Sequence, residues 1–434
     1  MIREVGFFNK LMAKYVPTLI SLLICVGCGT TKLRKIRKEI TIGLNSELMT
    51  NQFTGFFLIN ADTKDTIYNY NGQKYFTPAS NTKIFTLYTS LNLLPDHIPA
   101  MKYLVNNDTV YVEGTGDPTQ LHPYFHDSTA IAFLKGHENI KLHQNNFISE
   151  KLGPGWAWDD YAYYYQVERT GFPLYGNVNT IYNDDTLHVV PSHFRDAIVD
   201  LDYKVGREAE TNLFYYANGR KDTIEVPFRT DSTLTRMLLE EALGQKVANS
   251  NVMPEGEKSI LYGVPSDSVY RRMMLLSDNF LAEQLLILAS TTLSDTLDGA
   301  RAQKYILDNQ LAELQQPPRW VDGSGLSRYN LFTPQSMVHV LYKMYSDIPK
   351  QRLYNFFPVG GANGTLAQWF GGDQSPYIFA KSGSLGNNYC LSGYLLTASG
   401  KTLIFSFMNN HFIRPSEEIK KQMETIFESI RDSY

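Results

Sequence analysis

Apolar and polar positions divide this chain into a strand-rich start, a long mixed middle and an end of strands followed by a helix. Residues 53–60 and 66–71 read as two strands joined around Asp62-Thr63-Lys64-Asp65, the pattern of a hairpin. After Pro78, the apolar run Ile84-Phe85-Thr86-Leu87-Tyr88 predicts a buried helix that reaches Leu94 and is stopped by Pro95. Residues 377–381, 389–397 and 402–409 read as three further strands, the last two turned at Ser399-Gly400. A final helix over 416–432 places Ile419, Met423, Ile426 and Ile430 on one side. Strands from both ends around a helical middle predict one antiparallel sheet flanked by helices, an α+β design.

The stretch 96–252 interrupts that scheme. Its short polar–apolar alternations, Asp and Asn turns and Gly- and Pro-bearing loops predict an inserted, β-rich accessory region. The core is then residues 49–95 and 253–434. Residues 1–28 have the order of an export signal: Arg3, Lys10 and Lys14 precede an apolar stretch, Val16 to Gly27, too short to span a bilayer. Its end, Ile24-Cys25-Val26-Gly27-Cys28, resembles a bacterial lipoprotein cleavage box with Cys28 as the lipidated residue. Cys25 stands where that box usually has leucine, and an ordinary signal peptide or an uncleaved apolar N-terminus are the alternatives. Residues 29–48, with the basic tract at 32–38, are expected to form a solvated tether. Such a protein belongs in the cell envelope, in the periplasm, and touches a membrane only through its lipid.

A length of 434 residues calls for more than one domain. The 43 % hydrophobic and 19 % charged content is that of a globular protein, and a net charge of −4 gives no reason to expect a nucleic-acid partner. Past Cys28 only Cys390 remains, so no internal disulfide framework exists, and a buried thiol on a strand is expected.

The chemistry begins at Ser80-Asn81-Thr82-Lys83, the chain's only serine followed three residues later by lysine. On a first helical turn that spacing sets an amine beside a hydroxyl, and a desolvated neutral lysine can take the proton of a serine nucleophile. The pattern is short enough to arise by chance, so its partners decide its weight. Ser277-Asp278-Asn279 lies at the junction of two helical patterns, and Lys381-Ser382-Gly383 follows a strand. Ser-x-x-Lys, Ser-Asp-Asn and Lys-Ser/Thr-Gly in this order are the signature set of penicillin-recognising serine enzymes. Nothing in the sequence calls for a cofactor or a metal: His122 and His126 are four apart, but Pro123 intervenes and no third ligand clusters with them, so a surface loop is expected there. The Ser324 segment reads as a glycine-bracketed tight turn rather than a second nucleophile.

With these motifs so ordered and widely separated, the chain resembles the low-molecular-mass class C penicillin-binding proteins, the D-alanyl-D-alanine carboxypeptidase/endopeptidase family. Four segments carry the resemblance further: 113–118 (Glu-Gly-Thr-Gly-Asp-Pro), 153–160 (Gly-Pro-Gly-Trp-Ala-Trp-Asp-Asp), 322–330 (Asp-Gly-Ser-Gly-Leu-Ser-Arg-Tyr-Asn) and 358–361 with 364–366. The resemblance implies a penicillin-binding/β-lactamase-like transpeptidase core that acts on peptidoglycan stem peptides and is acylated by β-lactams. It implies Ser80 as nucleophile, Lys83 as base, Ser277 as proton relay, Asn279 holding Lys83 and a substrate amide, and Lys381 supplying positive charge. Ser382 is then expected to bind the substrate carboxylate, Gly383 to let the peptide approach the strand, and Ser384 to share an oxyanion hole with Ser80. Asp160 and Arg328 are implied as a pocket for the ammonium and carboxylate of diaminopimelate, with Tyr165 as its wall; a structural ion pair is the alternative. Gly386 stands where the family pattern has a glutamine. Two other functions stay open: a non-catalytic peptidoglycan-binding lipoprotein, and a β-lactamase or esterase on the same core.

Overall fold

The computed structural model describes residues 32–372 and 375–434; the expected export signal, with Cys28, lies outside them. The core is a five-stranded antiparallel sheet in the order Ile378–Leu385, Asn388–Leu396, Thr402–Asn410, Phe53–Asn60, Thr66–Tyr70. The N-terminal hairpin thus pairs with the C-terminal strands, Phe56 opposite Phe407 and Asn60 opposite Leu403.

Both faces of this sheet are covered, and the two-residue period sorts side chains between them. Phe56, Leu58, Leu391, Phe405 and Phe407 join one apolar cluster, while Phe57, Ile59, Tyr394, Ile404 and Met408 join another. The second cluster is filled by helices Lys83–Leu93, Asn279–Ser290 and Pro334–Asp347. The first is closed by the C-terminal helix Ser416–Ser433, which buries Ile419, Met423, Ile426, Phe427 and Ile430.

Next to that helix the sequence expectation needs correcting. Residues 32–44 are a helix, not a tether, and Ile36, Ile40 and Leu44 are buried in the same cluster. Spaced four apart, they form an apolar stripe that the surrounding lysines and arginines frame. Arg37 also donates to the Ile67 carbonyl (2.8 Å), tying this helix to the edge strand of the sheet.

The insertion has a cluster of its own around Val110, Leu142, Phe194, Phe214 and Leu238. Its five-stranded sheet runs Ala248–Ser250, Asn139–His143, Thr109–Gly114, His97–Asn106, Ser259–Pro265. The last strand carries the inserted sheet to Pro265, past the expected end at 252. A helix, Ser232–Leu243, packs into that cluster; Asp231 caps its start and Gly244 (φ +72°) ends it.

Candidate active site

Pro78 leads into a tight 3₁₀ turn, Ala79–Thr82, that continues as helix Lys83–Leu93. That helix is buried along nearly its whole length, so the turn before it is pinned from several sides. Asn81 donates from Nδ2 to the carbonyls of Lys381 (2.9 Å) and Cys390 (3.3 Å), fixing the turn to the sheet. Ala79 has φ +49°, a left-handed conformation unusual for a residue with a side chain. Two glycines fit tightly around it. A Cβ on Gly325 (φ +83°) would lie 1.9 Å from the Ala79 carbonyl oxygen, and one on Gly383 would lie 2.5 Å from that of Pro78. The Ser80 turn itself therefore demands the glycine of the Lys381 segment.

Lys83 is wholly buried, and its Nζ donates to three acceptors: Ser80 Oγ (3.0 Å), Asn279 Oδ1 (2.7 Å) and the Ser324 carbonyl (2.6 Å). Burial pulls its pKa down to about 8, against the upward pull of Asp322, Asp278 and Glu283. Asn279 opens helix Asn279–Ser290, whose start is capped by Asp278 accepting from the Leu281 N–H (3.0 Å). Its Nδ2 donates to the Tyr165 carbonyl (2.9 Å), so core and insertion meet at this side chain. Ser277 ends helix Ser266–Leu276 in a left-handed conformation (φ +59°) that turns the chain into the next helix.

Two groups behind the lysine were not singled out from the sequence. The Glu283 carboxylate accepts from the Ser324 N–H (2.7 Å) and pairs with Arg169 (3.2 Å), so it braces the loop whose carbonyl holds Lys83. Burial raises the Glu283 pKa, with Asp322 adding to the effect and Arg169 opposing it. Glu283 is four residues after Asn279, one turn along the same face, and that spacing was the available signal. The Ser324 turn is further held by Asp322, which accepts from the N–H groups of Gly325 (2.8 Å) and Ser327 (2.7 Å).

Lys381 is buried on the adjacent strand, its Nζ donating to the Ser382 carbonyl (2.7 Å). Burial, then the nearby Lys83, hold its pKa well below the ordinary lysine range. A substrate carboxylate alongside would raise it. Ser382 Oγ donates to Thr365 Oγ1 (2.7 Å), a residue from the 364–366 segment.

A cleft of about 680 Å³ gathers Ser80, Ser277, Asn279, Ser382 and Ser384 along its walls, with Asp160, Tyr165, Arg328 and Gly386. Asp160 and Arg328 form no ion pair with each other or with any described residue. Burial, then a hydrogen bond to Asp160, push the Tyr165 hydroxyl up to about 12. His122, expected on a surface loop, is buried on the cleft wall, and burial pulls its pKa down to about 4.

The model of the D-Ala-D-Ala carboxypeptidase 3 (S13) family matches residues 37–182 and 262–430, passing over the part of the insertion between them. The chain is 24 % identical to the D-alanyl-D-alanine carboxypeptidase DacB of Haemophilus influenzae over 442 residues, 90 % of this chain and 92 % of that one. It is 24 % identical to the D-alanyl-D-alanine carboxypeptidase of an Actinomadura species, across 89 % and 82 % of the two chains. In fold it is similar to penicillin-binding protein 4 of H. influenzae (TM-score 0.67, 20 % identity, 92 % and 98 % covered). A predatory peptidoglycan endopeptidase of Bdellovibrio bacteriovorus has a related fold (TM-score 0.51, 16 % identity, 88 % and 93 % covered).

Proposed function

The chain belongs to the D-Ala-D-Ala carboxypeptidase 3 (S13) family, and from that premise we propose that Ser80 is the acylating nucleophile of a serine D-Ala-D-Ala carboxypeptidase/endopeptidase. The observation that carries this reading is the 3.0 Å contact between Ser80 Oγ and a dehydrated Lys83 whose pKa is about 8. A lysine so placed is neutral often enough near neutral pH to act as a base.

Ser80 Oγ attacks the carbonyl of the penultimate D-alanine as Lys83 Nζ takes its proton. The oxyanion is held by the backbone N–H groups of Ser80 and Ser384, a stabilisation worth about 3 kcal/mol per donor in comparable sites. Ser277 passes a proton to the nitrogen of the departing D-alanine. Lys381 and Ser382 hold the substrate carboxylate. Asn279 positions Lys83 and a substrate amide, and water then releases the shortened peptide. A fluorescent penicillin is expected to label the purified protein covalently, and Ser80→Ala to abolish labelling. A well-folded wild type that stays unlabelled overturns the assignment and favours a non-catalytic binding protein. Rapid release of hydrolysed penicillin, without action on stem peptides, favours a β-lactamase.

Asp160 and Arg328 are the pocket for the ammonium and carboxylate of diaminopimelate. Their support is that both line the cleft and neither has an ion-pair partner among the described residues. Equal kcat/KM on diaminopimelate and lysine pentapeptides would remove that role. The enzyme works in the cell envelope, where its substrate lies, and Cys28 carries the lipid that anchors it. Radiolabelled palmitate incorporation that survives Cys28→Ala would exclude Cys28 as the anchor.

A further inference from the structure

Beside the Ser80 cleft a second cavity of about 560 Å³ opens on the insertion, and Tyr164 and Glu225 form walls of both. Three of its tyrosines are exposed: Tyr163 by 39 %, Tyr164 by 67 % and Tyr203 by 54 %. A single exposed tyrosine needs no explanation, but three around one cavity make an aromatic surface. The rings are braced from behind. Tyr163 lies parallel to Tyr165 (5.4 Å between centroids, 2° between planes), and Tyr203 meets Tyr215 edge-on at 5.1 Å. Arg220, also in the wall, is already engaged by Asp222 through two hydrogen bonds (2.9 and 2.6 Å). The cavity therefore offers flat apolar faces and hydrogen-bonding groups, with one of its cations internally neutralised. That chemistry suits a ring with C–H faces and hydroxyl edges better than it suits an acidic peptide.

We propose that this cavity is a saccharide subsite, holding a sugar of the glycan strand whose stem peptide lies in the Ser80 cleft. The inference rests on the peptidase reading above, since a stem peptide joined covalently to a sugar is a substrate that can span two contiguous cavities. The site also borders the catalytic machinery. The Tyr165 carbonyl accepts from Asn279, and Asn279 in turn accepts from Lys83. A sugar on Tyr163 and Tyr164 thus bears on the segment that orients the base.

The test compares kcat/KM on a disaccharide-linked pentapeptide with that on the same pentapeptide free of sugar. Wild type is expected to prefer the linked substrate about tenfold, mainly through KM, the worth of one good ring contact. Tyr203→Ala and Tyr163→Ala should each bring that ratio towards one, while Tyr203→Phe, which keeps the ring face, should preserve it. Thermal melts and circular dichroism check that each variant is folded. Equal kcat/KM on both substrates in wild type, or a preference that survives in both alanine variants, overturns the subsite while the peptidase reading stands. A sugar-free, cross-linked peptide dimer that gains the same advantage, lost in Tyr203→Ala, assigns the cavity to peptide and overturns it as well. No turnover of any substrate, together with no penicillin labelling, overturns the peptidase reading itself.

Discussion

Lys83 meets three acceptors at once, a geometry that favours the protonated amine, yet burial outweighs them and holds the pKa near 8. A base must be neutral, so acylation by penicillin should rise about tenfold per pH unit below pH 8 and level off above it. The charges facing Lys83 are Asp322, Asp278 and Glu283, which raise its pKa, and Lys381, whose own pKa is lowered by burial and then by Lys83. Glu283→Gln should therefore move the acid limb of the rate profile to lower pH. It should also cost about 3 kcal/mol in urea unfolding by leaving Arg169 without its carboxylate in a largely buried site. Rapid-mixing acylation rates across the neutral range, for both proteins, check the pair of effects; coincident profiles would separate Glu283 from the base. The depressed Lys83 pKa also has a sign for stability. Folding releases this proton between about 8 and the ordinary value of 10.5, so the contribution of this group to stability grows as pH rises through that window. Which residues build the site was legible in the sequence, because Ser80, Lys83, Ser277, Asn279 and Lys381 occur in short motifs. The bracing by Arg169 through Glu283 was not, since Arg169 is far from Lys83 in the chain and carries no local pattern.

At the level of elements, the strands and the last helix could be read from period and turn residues, because each buries a face whose apolar positions recur. The helix at 32–44 could have been read in the same way: Ile36, Ile40 and Leu44 recur every four residues, though five basic residues at 32–38 mask them. Long basic side chains on the open face of a helix are compatible with a buried stripe on the other. Ile40→Ala is expected to destabilise the protein by about 3 kcal/mol, within the range for buried Ile truncations, as a lower urea midpoint. An unchanged midpoint would mean that this helix contributes nothing to the folded core. The end of the insertion was harder to place. The strand Ser259–Pro265 buries none of its residues, and only its antiparallel pairing with His97–Asn106 reveals its membership.

At the scale of the whole molecule, the cleft lies where the sheet-and-helix core and the insertion meet. Ser80, Lys83 and Lys381 come from the sheet-and-helix core, while Asp160 and Tyr165 come from the insertion. No property of either segment alone announced that meeting. The core sheet has a second consequence, in time rather than in space. Its strand Phe53–Asn60 pairs with the middle strand, Thr402–Asn410, and nearly the whole chain must be present before that ladder can close. Contacts so remote in sequence slow folding, because loop entropy is lost before pairing is gained. The insertion, whose sheet strands all lie between His97 and Pro265, has no such wait. After dilution from urea, helical and sheet signals should therefore recover before the ability to be labelled by penicillin does. In a growing or translocating chain, the same order keeps the serine unarmed until the last strand has arrived, so an unfinished molecule carries its nucleophile without the strand that completes its site.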